Sequence, residues 1–146
     1  WVAEMFPLDD LDHVHIFDEV FAVGSSLGHP PIASNGIITY MDDEIEHFKY
    51  WMSSAQTIYG NSGGAVYRWS PNRKKYEYIG VPSRISIQPM GFSADAITHM
   101  GYFIPIERIY KLLEDNNYQF IYDSSLTPKD REEMLKGEEE EKSDDK

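Results

Sequence analysis

The sequence predicts an all-β protein, an antiparallel barrel of six to seven strands followed by a C-terminal α-helix and an acidic tail. Two observations predict this class. Short runs rich in β-branched and aromatic side chains recur between residues 14 and 106, with turn residues between them. Residues 107–116 instead place Ile109, Leu112 and Leu113 at helical spacing. Many short strands ahead of one helix are typical of a small closed barrel.

The individual strands are predicted from their composition and from the turns that bound them. The turn at residues 70–74 lies between two such runs, which we expect to pair as a hairpin. The predicted strands comprise residues 14–23, 36–40, 65–69, 76–81, 83–87 and 101–106, with residues 42–51 as a strand or an extended loop.

Composition and charge exclude several classes of function. The chain has 146 residues, 41% of them hydrophobic, which suits one globular domain with a modest core. Its net charge of −12 argues against nucleic acid as a partner, because an acidic surface repels phosphates. No apolar run approaches the roughly 20 residues of a membrane helix, so we expect no membrane span. The absence of cysteine rules out disulfides and thiolate metal sites.

The segment Gly-Asn-Ser-Gly-Gly at residues 60–64 is the strongest candidate for chemistry. A serine hydroxyl is a useful nucleophile only when a base accepts its proton and N–H groups receive the oxyanion. The glycines around Ser62 allow a tight turn and a close approach to a substrate carbonyl. The same five residues also suit a plain glycine-rich hairpin turn, so this segment alone leaves both interpretations open.

Several further segments, taken in order, resemble the trypsin-like peptidases and most closely their HtrA (Deg) branch. The resemblance covers about residues 14–113 and favours a catalytic serine over a plain turn. It is carried by Phe-Ala-Val-Gly-Ser-Ser-Leu-Gly at residues 21–28, Gly-Ile-Ile-Thr at 36–39, Gly-Asn-Ser-Gly-Gly at 60–64, Tyr-Ile-Gly-Val at 78–81 and Gly-Tyr-Phe-Ile-Pro-Ile at 101–106.

This resemblance implies the second barrel of the chymotrypsin-like fold and a division of the chain into three parts. Residues 1–13 would be the end of the first barrel and the inter-barrel linker. Residues 14–123 would be the C-terminal β-barrel with its closing helix. Residues 124–146 would be a charged tail that we expect to be disordered, with at most a short helix at residues 130–135.

The resemblance also implies the roles of individual residues. Ser62 would be the nucleophile, the backbone amides of Gly60 and Ser62 would form the oxyanion hole, and no metal or organic cofactor would be needed. Pro82 removes a donor from the substrate-binding edge, and a tyrosine stands where the branch usually has proline, which leaves the cleavage preference open. The expected substrate-binding residues are Gln56, Thr57, Ile58 and Tyr59 in the specificity pocket, and Val81, Ser83 and Arg84 on the strand edge.

The base and the orienting aspartate are expected from outside this chain. The triad order in this class is His, Asp, Ser, and the resemblance places the first two upstream of residue 1. None of the five histidines matches the base. His13 and His15 could share a strand face and bind Zn²⁺, although a solvated linker suits them better, and His99 is expected in a turn.

We therefore predict the nucleophile-bearing half of a serine endopeptidase that acts on protein or peptide substrates. This chain alone is expected to be inactive until an upstream protease half supplies the His and Asp. The alternative is a non-catalytic peptide-binding or structural homologue of the fold, a phage or viral one included.

Overall fold

The protein is described by a computed structural model over residues 4–57, 61–90 and 93–144, with only the backbone described at residues 85–90, 93–97 and 137–144. The strands are β1 (Glu19–Gly24), β2 (Ile32–Ile45), β3 (Phe48–Ser53), β4 (Ala65–Ser70), β5 (Lys75–Met90) and β6 (Ser93–Pro105). Two α-helices follow, α1 (Ile106–Asp115) and α2 (Pro128–Asp144). Short 3-10 turns lie at Leu8–His13, Ser26–Gly28 and Gln119–Ile121.

The six strands close into a ring in the order β1-β2-β3-β6-β5-β4, and all of the neighbouring strands are antiparallel. The predicted all-β class, with its C-terminal helix, is thus confirmed. Alternation explains the barrel core, since Val20 and Ala22 of β1 are buried while Glu19 is exposed. Ile38, Val66 and Phe103 complete the same interior from other strands.

The boundaries of β1 and β2 differ from the predicted strands. β1 begins at Glu19, because Phe17 has a φ of 77° and turns the chain before the strand. β2 continues to Ile45, and Glu46 and His47 then form a two-residue turn with φ values of 55° and 68°. Positive φ at both central positions matches the right-handed twist of a hairpin, although it is uncommon for residues other than glycine and asparagine.

The later strands are longer than their apolar runs. The hairpin of β4 and β5 pairs Tyr67 with Tyr78 and Trp69 with Tyr76, as predicted around the turn at residues 70–74. β6 begins at residue 93, so that His99 lies in this strand and the expectation of a turn there was wrong. Pairing of residues 93–97 with β5 extends the strand beyond the predicted run, and His99 lies in the register shift between Ile97 and Gly101.

The segment ahead of the first 3-10 turn is attached to the barrel. The amide of Phe6 donates to the carbonyl of Tyr78, and the amide of Tyr78 donates to the carbonyl of Glu4, each at 2.9 Å. Phe6 is 1% exposed, and the guanidinium groups of Arg68 and Arg73 lie 5.6 and 5.4 Å from its ring centre. These contacts bury an aromatic ring between two cations at the barrel end.

Those cations are paired with carboxylates. Arg73 binds Glu77 with two hydrogen bonds, of 2.6 and 2.8 Å, and also donates to Asp10. Glu77 is 1% exposed, so its charge depends on Arg73 and on Lys75, whose ammonium lies 3.7 Å away. The hydrogen bond from Arg73 lowers the pKa of Asp10 below its usual value. The network therefore links the N-terminal segment to the turn between β4 and β5.

The chain divides into two compact units, Trp1–Ile106 with the barrel and Glu107–Lys146 with most of α1 and all of α2. Within the second unit, the rings of Tyr110 and Tyr122 are 4.6 Å apart, and the Arg131 guanidinium lies 4.1 Å from the Tyr118 ring centre. The boundaries at residues 13 and 123 stay predictions.

Helix α2 extends well beyond the short helix expected at residues 130–135. Its first turn is capped, because the Asp130 carboxylate accepts from both the amide and the hydroxyl of Thr127, each at 2.6 Å. The expected disorder of residues 124–146 in solution stays a prediction. Neither helix, over the described residues, is long and apolar enough to cross a membrane.

Candidate active site

Ser62 stands on an exposed turn that leads directly into β4. Gly63 has a φ of +81°, which a glycine adopts readily, and the amide of Gly64 donates to the carbonyl of Asn61 at 3.0 Å. The hydroxyl of Ser62 donates to the carbonyl oxygen of Ser83 in β5 at 3.1 Å. The candidate nucleophile thus faces the strand that sequence analysis assigned to substrate binding.

The same turn is joined to β5 through its backbone. The amide of Gly63 donates to the carbonyl of Pro82 at 3.0 Å, next to the bond that Ser62 makes. A Cβ at Gly64 would lie 2.2 Å from the carbonyl oxygen of Val23, at the end of β1. Two neighbouring strands therefore confine the turn from opposite sides, and only glycine fits at residue 64.

The edge of β5 beside Ser62 lies outside the ladder with β4. β5 pairs with β4 up to Gly80, and beyond that residue its strand pairs among the described residues are with β6 alone. The register with β6 shifts between Pro82 and Arg84, which leaves Ser83 without a partner in that ladder. Such a bulge re-aims the backbone locally. The carbonyl of Ser83 is consequently available to the hydroxyl of Ser62.

Arg84, also expected to bind substrate, is engaged by the β2–β3 turn. Its guanidinium donates to the carboxylate of Glu46 at 2.6 Å and lies 5.5 Å from the ring centre of Tyr50. The hydrogen bond to Glu46 raises the pKa of Arg84 above its usual value. Both members of this ion pair are exposed. Arg84 can therefore leave Glu46 for another partner at little cost in free energy.

The predicted pocket residues are described only in part. The backbone carbonyl of Gln56 accepts from the Ser34 hydroxyl at 2.8 Å, and the Gln56 side chain is exposed. Thr57 is buried, and its amide donates to the carbonyl of Thr98 in β6 at 2.9 Å. Ile58, Tyr59 and Gly60 lie outside the described residues, so the pocket and the oxyanion hole stay predictions.

A buried polar pair beneath the turn was missed by the sequence analysis. Asn61 is 3% exposed, and its Oδ1 accepts a hydrogen bond from the hydroxyl of Ser26, which is 6% exposed. Both residues lie in segments quoted for the family resemblance, but neither received a role. No local pattern signals this pair, because its members are 35 positions apart.

No histidine hydrogen-bonds to Ser62 within the described part of the chain. The Nδ1 of His13 lies 3.8 Å from the Oδ1 of Asp10, and the Nδ1 of His47 lies 3.7 Å from the Oε1 of Glu44. Both imidazoles are largely exposed. Over the same residues, no group of three or more His, Asp or Glu side chains could hold a metal ion. The described side chains thus supply a serine and an edge strand, and no base beside them.

The ring of six antiparallel strands followed by a helix matches one barrel of the chymotrypsin-like class. No protein-family model matches the sequence, and no curated protein matches it. Solved structures do match. The HtrA-type protease AlgW with tripeptide has 18% identity and a TM-score of 0.62, over 86% of this chain and 37% of that chain.

A second structure, AlgW with decapeptide, has 18% identity and a TM-score of 0.61, over 77% of this chain and 32% of that chain. At this identity the likeness shows the fold, and the chain has an HtrA/trypsin-like fold. It spans about a third of the length of these structures, which fits the prediction of the C-terminal barrel only.

Proposed function

We propose that this chain is the nucleophile-bearing half of a serine endopeptidase. The observation that carries the proposal is the placement of Ser62 on a glycine turn that hydrogen-bonds to β5 at Pro82 and Ser83, beyond the end of its ladder with β4. A peptide that adds to this edge as a further strand would bring its backbone alongside the serine hydroxyl. The HtrA/trypsin-like fold supports the same reaction class.

In the proposed mechanism, Ser62 Oγ attacks the scissile carbonyl while a histidine from outside this chain accepts its proton. The amides of Gly60 and Ser62 stabilise the oxyanion of the tetrahedral intermediate. Collapse of that intermediate expels the amine, which takes a proton from the histidine. Water then hydrolyses the acyl-serine through the same steps.

The remaining residues bind substrate in this proposal. The backbone of Val81, Ser83 and Arg84 lies beside the peptide, and the residues 56–59 line the specificity pocket. The AlgW structures are described as carrying a tripeptide and a decapeptide, which supports a peptide substrate for this chain. The histidine and the orienting aspartate come from an upstream protease half, so the chain alone is inactive.

The alternative function is a non-catalytic peptide binder built on the same barrel. The edge of β5 beyond Gly80 favours this function as well, because strand addition requires no nucleophile. The two functions differ in the chemistry of Ser62. A binder has no base to activate that hydroxyl, whereas an endopeptidase does.

Labelling by a fluorophosphonate probe separates the two functions. The complete protein, with its upstream segment, should be labelled at Ser62, and Ser62→Ala should abolish the label. Ser125→Ala is the control, since that hydroxyl bonds to Asp123 in the second unit. Peptide binding without labelling of the complete protein would establish the binder and refute the endopeptidase.

A further inference from the structure

Asn61 is one of the least exposed polar residues described, and it directly precedes the proposed nucleophile. Its Oδ1 accepts from the hydroxyl of Ser26, in the loop that follows β1. Both side chains are buried, so the loss of either partner leaves the other polar group without this hydrogen bond. The bond therefore ties the residue before Ser62 to a different strand connection.

The backbone on both sides of this bond is closely confined. A Cβ at Gly24 would lie 3.0 Å from the Cα and 3.1 Å from the Oδ1 of Asn61. A Cβ at Gly64 would lie 3.0 Å from the carbonyl oxygen of Asn61 as well. The end of β1 and the turn thus approach each other as closely as their backbones allow. A small movement of Asn61 must therefore displace the turn that carries Ser62.

Packing leaves one side of the Asn61 side chain open. A cavity of about 160 Å³ borders both Asn61 and Ser26. On this side the hydrogen bond from Ser26, rather than a packed neighbour, holds the orientation of the amide. The other lining residues are Ile32, Ala33, Ser34 and Gln56.

We propose that Asn61 and Ser26 form a positioning pair for Ser62. The inference rests on the proposed endopeptidase function and adds residues to it. Neither side chain needs to touch the substrate. The pair acts through the backbone of the turn, which sets where the Ser62 hydroxyl and amide lie. Misplacement of reacting atoms by about 1 Å can lower a rate roughly 100-fold.

The test compares variants of the complete protein by labelling rate, kcat and KM. Ser26→Ala and Asn61→Ala should lower the labelling rate and kcat roughly 10- to 100-fold, with KM changed less than about twofold. Asn61→Asp keeps an oxygen acceptor for Ser26 and should be labelled faster than Asn61→Ala. Ser54→Ala is the matched control, since its hydroxyl accepts from the Ile37 amide at 3.0 Å.

The outcomes separate this inference from the proposed function. Failure to label the unaltered complete protein overturns the proposed function. If that protein is labelled and the Ser26 and Asn61 variants react as fast as Ser54→Ala, only the positioning pair is overturned. Equal rates for Asn61→Asp and Asn61→Ala also contradict it. Thermal denaturation tests for a purely structural role. In that case, variants that lose the same Tm, Ser54→Ala included, would show the same fall in kcat.

Discussion

The hydroxyl of Ser62 donates to the carbonyl oxygen of Ser83 at 3.1 Å, which joins the proposed nucleophile to the proposed substrate edge. Ser83 lies in the register shift of β5 against β6 and has no partner in that ladder. During the proposed reaction the hydroxyl must leave this acceptor in order to attack. An N–H group of the added peptide strand could then bond to the vacated carbonyl.

Ser62→Ala should separate reactivity from folding. The lost hydrogen bond is exposed, so we expect the free energy of unfolding to change by less than about 1 kcal/mol. Urea unfolding of the variant and the unaltered chain measures this difference. A much larger loss would mean that Ser62 has a structural role that the bond to Ser83 does not explain.

Two neighbouring glycines should respond differently to alanine. Gly63 has open space around its missing Cβ, so Gly63→Ala should cost about 1 kcal/mol for the positive φ alone. Gly64→Ala places a Cβ 2.2 Å from the Val23 carbonyl, and we expect a loss of about 3 kcal/mol or a failure to fold. Chemical denaturation of both variants measures the two losses in the free energy of unfolding. Equal losses would contradict the close approach of the Val23 carbonyl to Gly64.

Arg73→Ala should strongly lower the free energy of unfolding, although the Arg73 side chain is partly exposed. It leaves the carboxylate of Glu77 buried and paired only with Lys75 at 3.7 Å, for which we expect a loss of about 3 kcal/mol. Arg84→Ala is the matched control, because its ion pair with Glu46 is exposed, and its effect on stability should be clearly smaller. Urea unfolding measures both losses, and a midpoint for Arg73→Ala as high as that for Arg84→Ala would contradict the prediction.

The contribution of Asp10 to stability should depend on pH. The hydrogen bond from Arg73 lowers the folded-state pKa of Asp10 below the ordinary value of 3.8. Its stabilising effect is therefore fully present above pH 3.8 and is lost as the pH falls through the lower, folded-state pKa.

Asp10→Asn provides the measurement. The difference in Tm between the unaltered chain and this variant should shrink as the pH falls from about 5 towards 2. Carboxylates distant from Arg73 titrate alike in both proteins and cancel in the difference. A difference that grows on acidification would show that Asp10 is not stabilised by Arg73.

Local patterns in the sequence predicted the class of the fold and several of its strands. The β4–β5 hairpin follows from two aromatic, β-branched runs around a turn, and α1 follows from apolar residues at helical spacing. The glycines around Ser62 predicted a tight turn ahead of a strand. These features depend on neighbours in the chain, so the sequence contains their signals directly.

Tertiary structure decided the features that depend on distant residues. The full length of β6 is determined by pairing with β5, and the turn at Glu46 and His47 is determined by the register of β2 with β3. Residues far apart in the chain form the Ser26–Asn61 bond and the contact of Ser62 with Ser83. The residue types by themselves predicted a serine on a glycine turn. Only the closing of the barrel placed that serine beside the edge of β5, because this neighbour is chosen by strand pairing rather than by local sequence.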